Sequence, residues 1–142
     1  MADVEGSCHC GAIKVRVLGG FGENAKAGIC HCEECQMLSG SLFSYLGFVE
    51  RENLKVLTGE PKGYKQPTGA AQSGKDVIRY FCGDCGTPLW AAAESAPETY
   101  SIKLAMFGNQ LPPAREIYWK RAKEWEKPMV PPDCVFQGWL SE

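Results

Sequence analysis

Short stretches in which hydrophobic and polar residues alternate recur along the chain and predict a mainly β fold. Between residues 12 and 17, Ile13, Val15 and Val17 alternate with Lys14 and Arg16, which is typical of a half-buried strand. Residues 99–107 alternate in the same way, and residues 41–50 are rich enough in apolar residues for a buried strand. Further short strands are predicted over residues 27–30, 54–57, 63–66, 76–81, 87–92 and 116–120. Because turn residues separate these strands, we expect an all-β domain with little helix.

Three segments do not follow this alternation. Residues 33–38 lack a strand pattern and predict one or two helical turns that end at Ser39 and Gly40. Residues 67–74 predict a polar loop. The tail holds Pro128, Pro131 and Pro132 together with three tryptophans, so we expect it to be irregular but packed. Since we find no repeat, linker or low-complexity segment, residues 1–142 are predicted to form a single domain.

Composition narrows the classes of function. The 142-residue chain is 44% hydrophobic and 23% charged, as is usual for a globular domain, and no stretch approaches the length of a membrane span. A formal net charge of -2 argues against nucleic acid or an anionic membrane as a partner. The N-terminus has neither a basic start nor an apolar run, so we expect no secretion signal and a reducing, cytoplasmic location.

The eight cysteines are grouped rather than scattered. They form a first pair, a middle cluster of three, a second pair and a lone residue: Cys8 and Cys10; Cys30, Cys32 and Cys35; Cys82 and Cys85; Cys134. Spacings of C-x-C and C-x-x-C suit a metal ion, because each short turn presents two sulfurs to one point. We therefore favour metal sites over disulfides, which are rare in a reducing compartment.

Three motifs surround these cysteines: Gly6-Ser-Cys-His-Cys-Gly-Ala12, Cys30-His-Cys-Glu-Glu-Cys-Gln36 and Phe81-Cys-Gly-Asp-Cys-Gly-Thr-Pro-Leu89. In this order and at this separation, they resemble the glutathione-dependent formaldehyde-activating enzyme family, which also includes centromere protein V. The resemblance implies an Mss4-like fold of packed, bent antiparallel sheets. It also implies an enzyme, a carbon–sulfur lyase of the S-(hydroxymethyl)glutathione synthase type.

The resemblance further implies two zinc ions per chain. Cys8, Cys10, Cys82 and Cys85 would hold a structural zinc, and Cys30, Cys32 and Cys35 would hold a catalytic zinc. The residues themselves point to the same division, since three protein ligands leave a coordination position for substrate. They also leave an alternative open, in which Cys134 closes the middle cluster as a fourth ligand. Otherwise Cys134 is a small buried hydrophobic residue.

A zinc ion held by three thiolates suits the exchange of a fourth thiolate better than the generation of hydroxide. A bound substrate thiol would lose its proton near neutral pH, whereas free thiols ionise only near pH ~8.5. We therefore expect a small thiol such as glutathione to attack formaldehyde or a related small electrophile. Two alternatives are a non-enzymatic zinc module that binds a protein, and a thiol or metal sensor. A homodimer is left open.

Several other residues have two interpretations each. His31 could be a ligand or a proton carrier, but residues between such cysteines usually point away from the metal. The side chains of Glu33 and Glu34 are either general acids and bases or simply solvated. Gln36 and Ser39 are candidates for lining the pocket, and Lys65, Lys75 and Arg79 are candidates for binding carboxylates of the thiol. Trp90 and Trp119 could form a pocket wall, but we prefer to place them in the core.

Overall fold

Strands dominate the structure, a computed structural model that describes residues 1–67 and 75–139. The strands are β1 (Val4–Ser7), β2 (Lys14–Val17), β3 (Ala27–Cys30), β4 (Ser44–Glu50), β5 (Leu54–Thr58), β6 (Lys62–Lys65), β7 (Val77–Phe81), β8 (Pro88–Ala93), β9 (Thr99–Lys103) and β10 (Pro113–Ile117). Helix α1 (Glu33–Ser39) follows β3. Short 3₁₀ turns lie at Arg51–Asn53, Leu104–Phe107, Trp119–Arg121 and Pro132–Cys134. The predicted mainly β class is confirmed.

The strands form two sheets. The small sheet has the order β1-β2-β5, and the large sheet has the order β10-β3-β4-β9-β8-β7-β6. Neighbouring strands are antiparallel except β10, which pairs parallel with β3. The large sheet is therefore mixed.

The core lies between the two sheets. Val15 and Val17 of β2 are almost fully buried, as their alternation predicted, and they belong to one hydrophobic cluster with residues of the large sheet such as Trp90 and Ile102. Since side chains of a strand alternate between its two faces, the other face of the large sheet points away from this core. That second face carries the candidate site.

Local patterns placed most elements within a few residues of their observed bounds. The strand at residues 27–30 and the helix that follows it were predicted correctly, and Gly40 closes α1 in the left-handed conformation with φ 66°. This conformation favours glycine, which has no Cβ to clash. Most of the predicted polar loop, residues 68–74, lies outside the described residues.

Three differences have physical reasons. Strand β1 was not predicted, because its short polar sequence forms a strand only through pairing with β2. The strand predicted over residues 99–107 ends at Lys103, where the ladder with β4 also ends, and continues as a 3₁₀ turn. The last strand, predicted over residues 116–120, runs over Pro113–Ile117, because these residues pair with β3, and a 3₁₀ turn follows it. Proline fits its first position at the sheet edge.

Candidate metal centre and adjoining cavity

The middle cluster is assembled by the end of β3 and the first turn of α1. Cys30 is the last residue of β3, Cys32 caps the helix, and Cys35 lies in its first turn. The Cys32 sulfur accepts a hydrogen bond from the Cys35 backbone N–H at 3.4 Å. All three side chains are buried, and their sulfurs lie within 4.8 Å of one another. The strand end and the helix cap thus aim three thiols at one point.

Hydrogen bonds within the middle cluster give its three thiols different pKa values. Hydrogen bonding with the Cys30 and Cys32 thiols lowers the pKa of Cys35 to about 2. The hydrogen bond with Cys32 raises the pKa of Cys30 above its ordinary value, and so does burial. Although its hydrogen bond with Cys30 lowers the pKa of Cys32, the bond with Cys35 and burial together raise it to about 12. Without a metal, the cluster therefore holds one thiolate, centred on Cys35.

A buried cation lies beside this cluster. Lys103, at the end of β9, is only 9% exposed, and its Nζ donates a hydrogen bond to the Ser44 hydroxyl at 2.8 Å. Ser44 in turn donates to the Cys35 carbonyl at 3.2 Å. Burial lowers the pKa of Lys103, while the charge of Cys35 raises it. A buried lysine normally needs a compensating negative charge, and the Cys35 thiolate supplies it.

The other four cysteines form an outer set, Cys8, Cys10, Cys82 and Cys85, whose sulfurs also lie within 4.8 Å of one another. Two come from the turn between β1 and β2, and two from the turn between β7 and β8. The outer set therefore joins the two sheets. The hydrogen bond with the Thr87 hydroxyl, at 3.1 Å, lowers the pKa of Cys85 to about 5.

The sulfur spacing in the outer set fits a tetrahedral metal ion. Zinc–sulfur bonds of about 2.3 Å place the sulfurs of a tetrahedral site about 3.8 Å apart. The Cys8 and Cys10 sulfurs are 3.7 Å apart, and the Cys10 and Cys82 sulfurs are 3.8 Å apart. The donor sets thus differ: the outer set offers four sulfurs, and the middle cluster offers three without a further His, Cys, Asp or Glu in its group among the described residues.

A cavity of about 740 Å³ opens beside the middle cluster, and all three of its cysteines line the wall. The floor is the face of the large sheet that points away from the core. One cross-strand row of this floor runs through Phe48, Ser101, Ala91 and Arg79. The middle cluster lies at the β3 end of the cavity, and Arg79 lies at the β7 end. Three cations and one acid contribute to the lining: Arg79, Arg115, Lys120 and Glu34.

Comparison with known proteins identifies the family. Residues 3–121 match the family model described as glutathione-dependent formaldehyde-activating enzyme. The chain belongs to this family. A Colletotrichum graminicola protein whose name carries the same description is 34% identical over 87 residues, which are 61% of this chain and 42% of that protein. An uncharacterized lyase of Schizosaccharomyces pombe is 27% identical over 107 residues, which are 75% of this chain and 70% of the lyase.

A solved structure supports the fold of this family member. The crystal structure of a Rhodobacter sphaeroides protein superposes with a TM-score of 0.58 at 25% sequence identity, covering 72% of this chain and 86% of that one. The family match includes all seven cysteines of the middle cluster and the outer set. The tail from residue 122 lies beyond the match. Within the described residues, the one α-helix has seven residues, far fewer than the roughly 20 that a membrane-spanning helix needs.

Two residues that could have joined the middle cluster do not. Cys134 is half-buried and lies outside both sulfur groups, with its sulfur 3.9 Å from the Asp133 carboxylate. These positions do not support Cys134 as a fourth ligand. The imidazole of His31 is fully buried, and its Nε2 lies 2.7 Å from Glu116 Oε1. Its Nδ1 lies 3.5 Å from Glu126 Oε1, so both ring nitrogens face carboxylates.

Of the other polar and aromatic candidates in this paragraph, Glu34 alone lines the cavity. Gln36 and Ser39 were predicted to line the pocket, but they donate to the backbone carbonyls of His31 and Phe43 instead. Glu33 is exposed and pairs with Arg121 at 3.3 Å, whereas Glu34 lines the cavity. Trp90 lies in the core, as preferred. Trp119 is half-buried outside the core and contacts the His31 ring edge-on at 5.0 Å.

Of the three predicted carboxylate-binding cations, Arg79 lines the cavity. Lys65 is mostly exposed and pairs with Asp76 at 3.1 Å, and Lys75 is not among the lining residues. Sequence reasoning missed Ser44, Lys103 and Glu116. Of these three residues, Lys103 alone had a signal in the sequence, because the strand alternation placed it on the face opposite Ile102. A lysine on such a face is normally solvated, so the alternation did not predict its burial.

Proposed function

We propose that this chain is a zinc-dependent enzyme of the carbon–sulfur lyase type, which adds a small thiol such as glutathione reversibly to formaldehyde or a related small electrophile. The observation that carries this proposal is the middle cluster: three buried sulfurs within 4.8 Å of one another, on the wall of a cavity of about 740 Å³. A three-sulfur set beside a cavity is suited to exchanging a ligand, whereas a closed four-sulfur set is suited to holding a fold.

Cys30, Cys32 and Cys35 would hold the catalytic zinc, whose chemistry is to keep a bound substrate thiol deprotonated near neutral pH. The chain's own groups do the rest. Three thiolates and a divalent ion carry one net negative charge, which the buried Lys103 offsets. Leu46 and Ile117 pack against the cluster and give that end of the cavity an apolar wall.

The proposed reaction conserves atoms and charge. The thiol sulfur attacks the carbonyl carbon, so that a carbon–sulfur bond forms and the carbonyl π pair moves to oxygen. The proton lost by the thiol is balanced by a proton taken up at this oxygen, and the product is an S-hydroxymethyl thiol. In the reverse direction the same groups cleave the carbon–sulfur bond, as in a lyase.

The outer set would hold a structural zinc. Its four sulfurs come from two turns that are more than 70 residues apart in the sequence. The fold nevertheless brings the Cys10 and Cys82 sulfurs within 3.8 Å of each other. A metal that joins such distant segments restricts the unfolded chain, and its binding free energy contributes to folding. This role does not require access to the cavity.

Exchange spectroscopy with ¹³C-labelled formaldehyde tests the proposal, because it measures adduct formation and breakdown at equilibrium over the spontaneous background. We expect the zinc-loaded chain to accelerate exchange with glutathione and Cys32→Ala to fall to the background rate. Cys134→Ala is the matched control, since it removes a thiol outside both sulfur groups, and it should keep the wild-type rate. Equal exchange with wild type and with Cys32→Ala would overturn the enzymatic function.

A further inference from the structure

His31 lies between two cysteines of the middle cluster, on a stretch of chain that stays extended. Its backbone N–H donates to the Ile117 carbonyl at 3.1 Å, next to the pairing of β3 with β10, and Cys32 has φ -63° and ψ 158°. Side chains of an extended chain alternate between its two sides. Cys30 and Cys32 accordingly line the cavity, whereas His31 is not among the lining residues. A group that fixes the His31 side chain therefore also fixes the direction of the two neighbouring sulfurs.

Two carboxylates lie against the two ring nitrogens of His31. Its Nε2 is 2.7 Å from Glu116 Oε1, and its Nδ1 is 3.5 Å from Glu126 Oε1. The side chains of His31 and Glu116 are each 2% exposed, and that of Glu126 is 8% exposed. Carboxylates are rarely buried to this extent unless they have a partner. Because neither acid lines the cavity, their partner is the imidazole.

Aromatic rings also pack against this imidazole. Phe43 and Trp119 approach it edge-on, with centroid separations of 5.5 and 5.0 Å, a geometry that favours one orientation of the ring. His31 Nδ1 is buried and has no hydrogen-bond partner in the described part of the chain. The Glu126 carboxylate is thus the polar group that the fold places beside this nitrogen.

Glu126 belongs to the tail, which lies beyond the family match that ends at residue 121. Its Oε2 accepts a hydrogen bond from the Lys123 backbone N–H at 2.6 Å, and its own backbone N–H donates to the Lys123 carbonyl at 2.9 Å. Farther along the tail, the Met129 backbone N–H donates to Glu116 Oε2 at 2.5 Å. The tail therefore reaches His31 twice, directly through Glu126 and indirectly through Glu116.

We propose that the tail is a latch on the metal centre. Glu126 and Glu116 hold His31 on the side of the chain away from the cavity, and His31 in turn keeps Cys30 and Cys32 directed at the metal position. His31 and Glu126 are positioning residues that contact neither metal nor substrate. This inference rests on the proposed function for the presence of a metal at the middle cluster. It adds that a segment outside the family match sets how tightly that metal is held.

Competition between the zinc-loaded chain and a chromophoric chelator tests the latch. In Glu126→Gln the amide oxygen can still accept from the Lys123 N–H, but the charge beside His31 is lost. We expect the zinc affinity of the middle cluster to fall about 10-fold, the lower end of the range for residues that support metal ligands, and that of the outer set to stay unchanged. Glu124→Gln is the matched control, because it removes the same charge from an exposed position of the tail, and it should bind like wild type. Equal affinities in Glu126→Gln and wild type would overturn the latch, as would an equal loss in Glu124→Gln.

The outer set keeps the test independent of folding, because its four sulfurs come together only when the two sheets do. Equal losses at both sulfur groups in Glu126→Gln would indicate unfolding and would overturn the latch. A double-mutant cycle adds a second check. His31→Gln should weaken the middle cluster at least as much as Glu126→Gln, and the double variant should be no weaker than His31→Gln alone, since residues in contact are not additive. Additive losses would overturn a latch that acts through His31.

The same measurements separate this inference from the proposed function. A wild-type chain that binds only one zinc ion would overturn both together. Two zinc ions with the same affinities in every variant would overturn the latch alone. An affinity that depends on Glu126, in a chain that does not accelerate formaldehyde exchange, would overturn the enzymatic function alone.

Discussion

Lys103 donates a hydrogen bond from Nζ to the Ser44 hydroxyl at 2.8 Å, and both side chains are buried beside the middle cluster. The pair places a positive charge next to three cysteines that must all lose their protons to bind a metal. Thiolates and ammonium therefore stabilise each other, and the buried charge of each is explained by the other.

Replacing Lys103 by methionine should weaken zinc binding at the middle cluster. The change removes the compensating charge, and groups that support metal ligands typically contribute 10–100-fold in affinity, so we expect a loss of about that size. Competition with a chromophoric chelator measures it. Lys103→Arg should recover most of the affinity, whereas Ser44→Ala keeps the charge and should lose little. If Ser44→Ala were as weak as Lys103→Met, the hydrogen bond rather than the charge would be responsible.

In the metal-free protein, Cys35 should be alkylated in preference to its neighbours. The pKa of Cys35 is lowered to about 2, so its thiolate is present at every pH above that value, while the raised pKa values of Cys30 and Cys32 keep them protonated. The iodoacetamide rate at Cys35 should thus be flat from about pH 5 to 8, where a free thiol of pKa ~8.5 accelerates about tenfold per unit. Peptide mapping by mass spectrometry locates the label. First labelling of Cys30 would contradict the shared-proton arrangement.

Glu116 should matter for stability because its carboxylate satisfies two buried partners. Oε1 contacts His31 Nε2 at 2.7 Å, and Oε2 accepts from the Met129 backbone N–H at 2.5 Å. Glu116→Ala leaves these groups unsatisfied, at about 1–3 kcal/mol each in the free energy of unfolding. Urea denaturation measures the loss. Glu33→Ala, which breaks only an exposed ion pair with Arg121, should cost less than about 1 kcal/mol; equal losses would mean that the Glu116 contacts contribute nothing special.

The two sulfur groups should respond differently to metal removal. We expect two zinc ions per chain, and a chelator should first extract the one held by three sulfurs beside the cavity. Cys32→Ser should then bind one ion and unfold near the wild-type temperature. Cys82 is buried in the core and belongs to the set that joins the two sheets, so Cys82→Ser should lower the melting temperature strongly. Elemental analysis and calorimetry measure both, and the reverse ranking of the two variants would contradict the assignment.

Local features of this fold could be predicted from the sequence, and long-range partners could not. The clusters follow from short turns, and the β3–α1 junction follows from a strand pattern that ends at Cys30 and a glycine at position 40. These signals lie within a few residues of one another. The family resemblance added the division of the cysteines, which the structure brings together as two groups.

The contacts of Glu116 and Lys103 could not be predicted, because their partners are distant in the sequence. Glu116 contacts His31 across 85 positions of sequence, and Lys103 reaches Ser44 across 59. Neither pairing has a local pattern, because it depends on the parallel addition of β10 to β3 and on the register of β9 against β4. A polar residue in a strand pattern is normally predicted to face solvent, whereas Lys103 and Glu116 are both buried.

X-ray absorption at the zinc edge tests the central claim most directly, since it counts sulfurs around the metal. A closed set of four and an open set of three give an average of about 3.5 sulfurs per zinc in the chain alone, rising to about 4 when glutathione donates its thiolate. Cys32→Ser should show no such rise. An average of about 4 before glutathione is added, or an unchanged count afterwards, would contradict a thiol-binding position at the middle cluster.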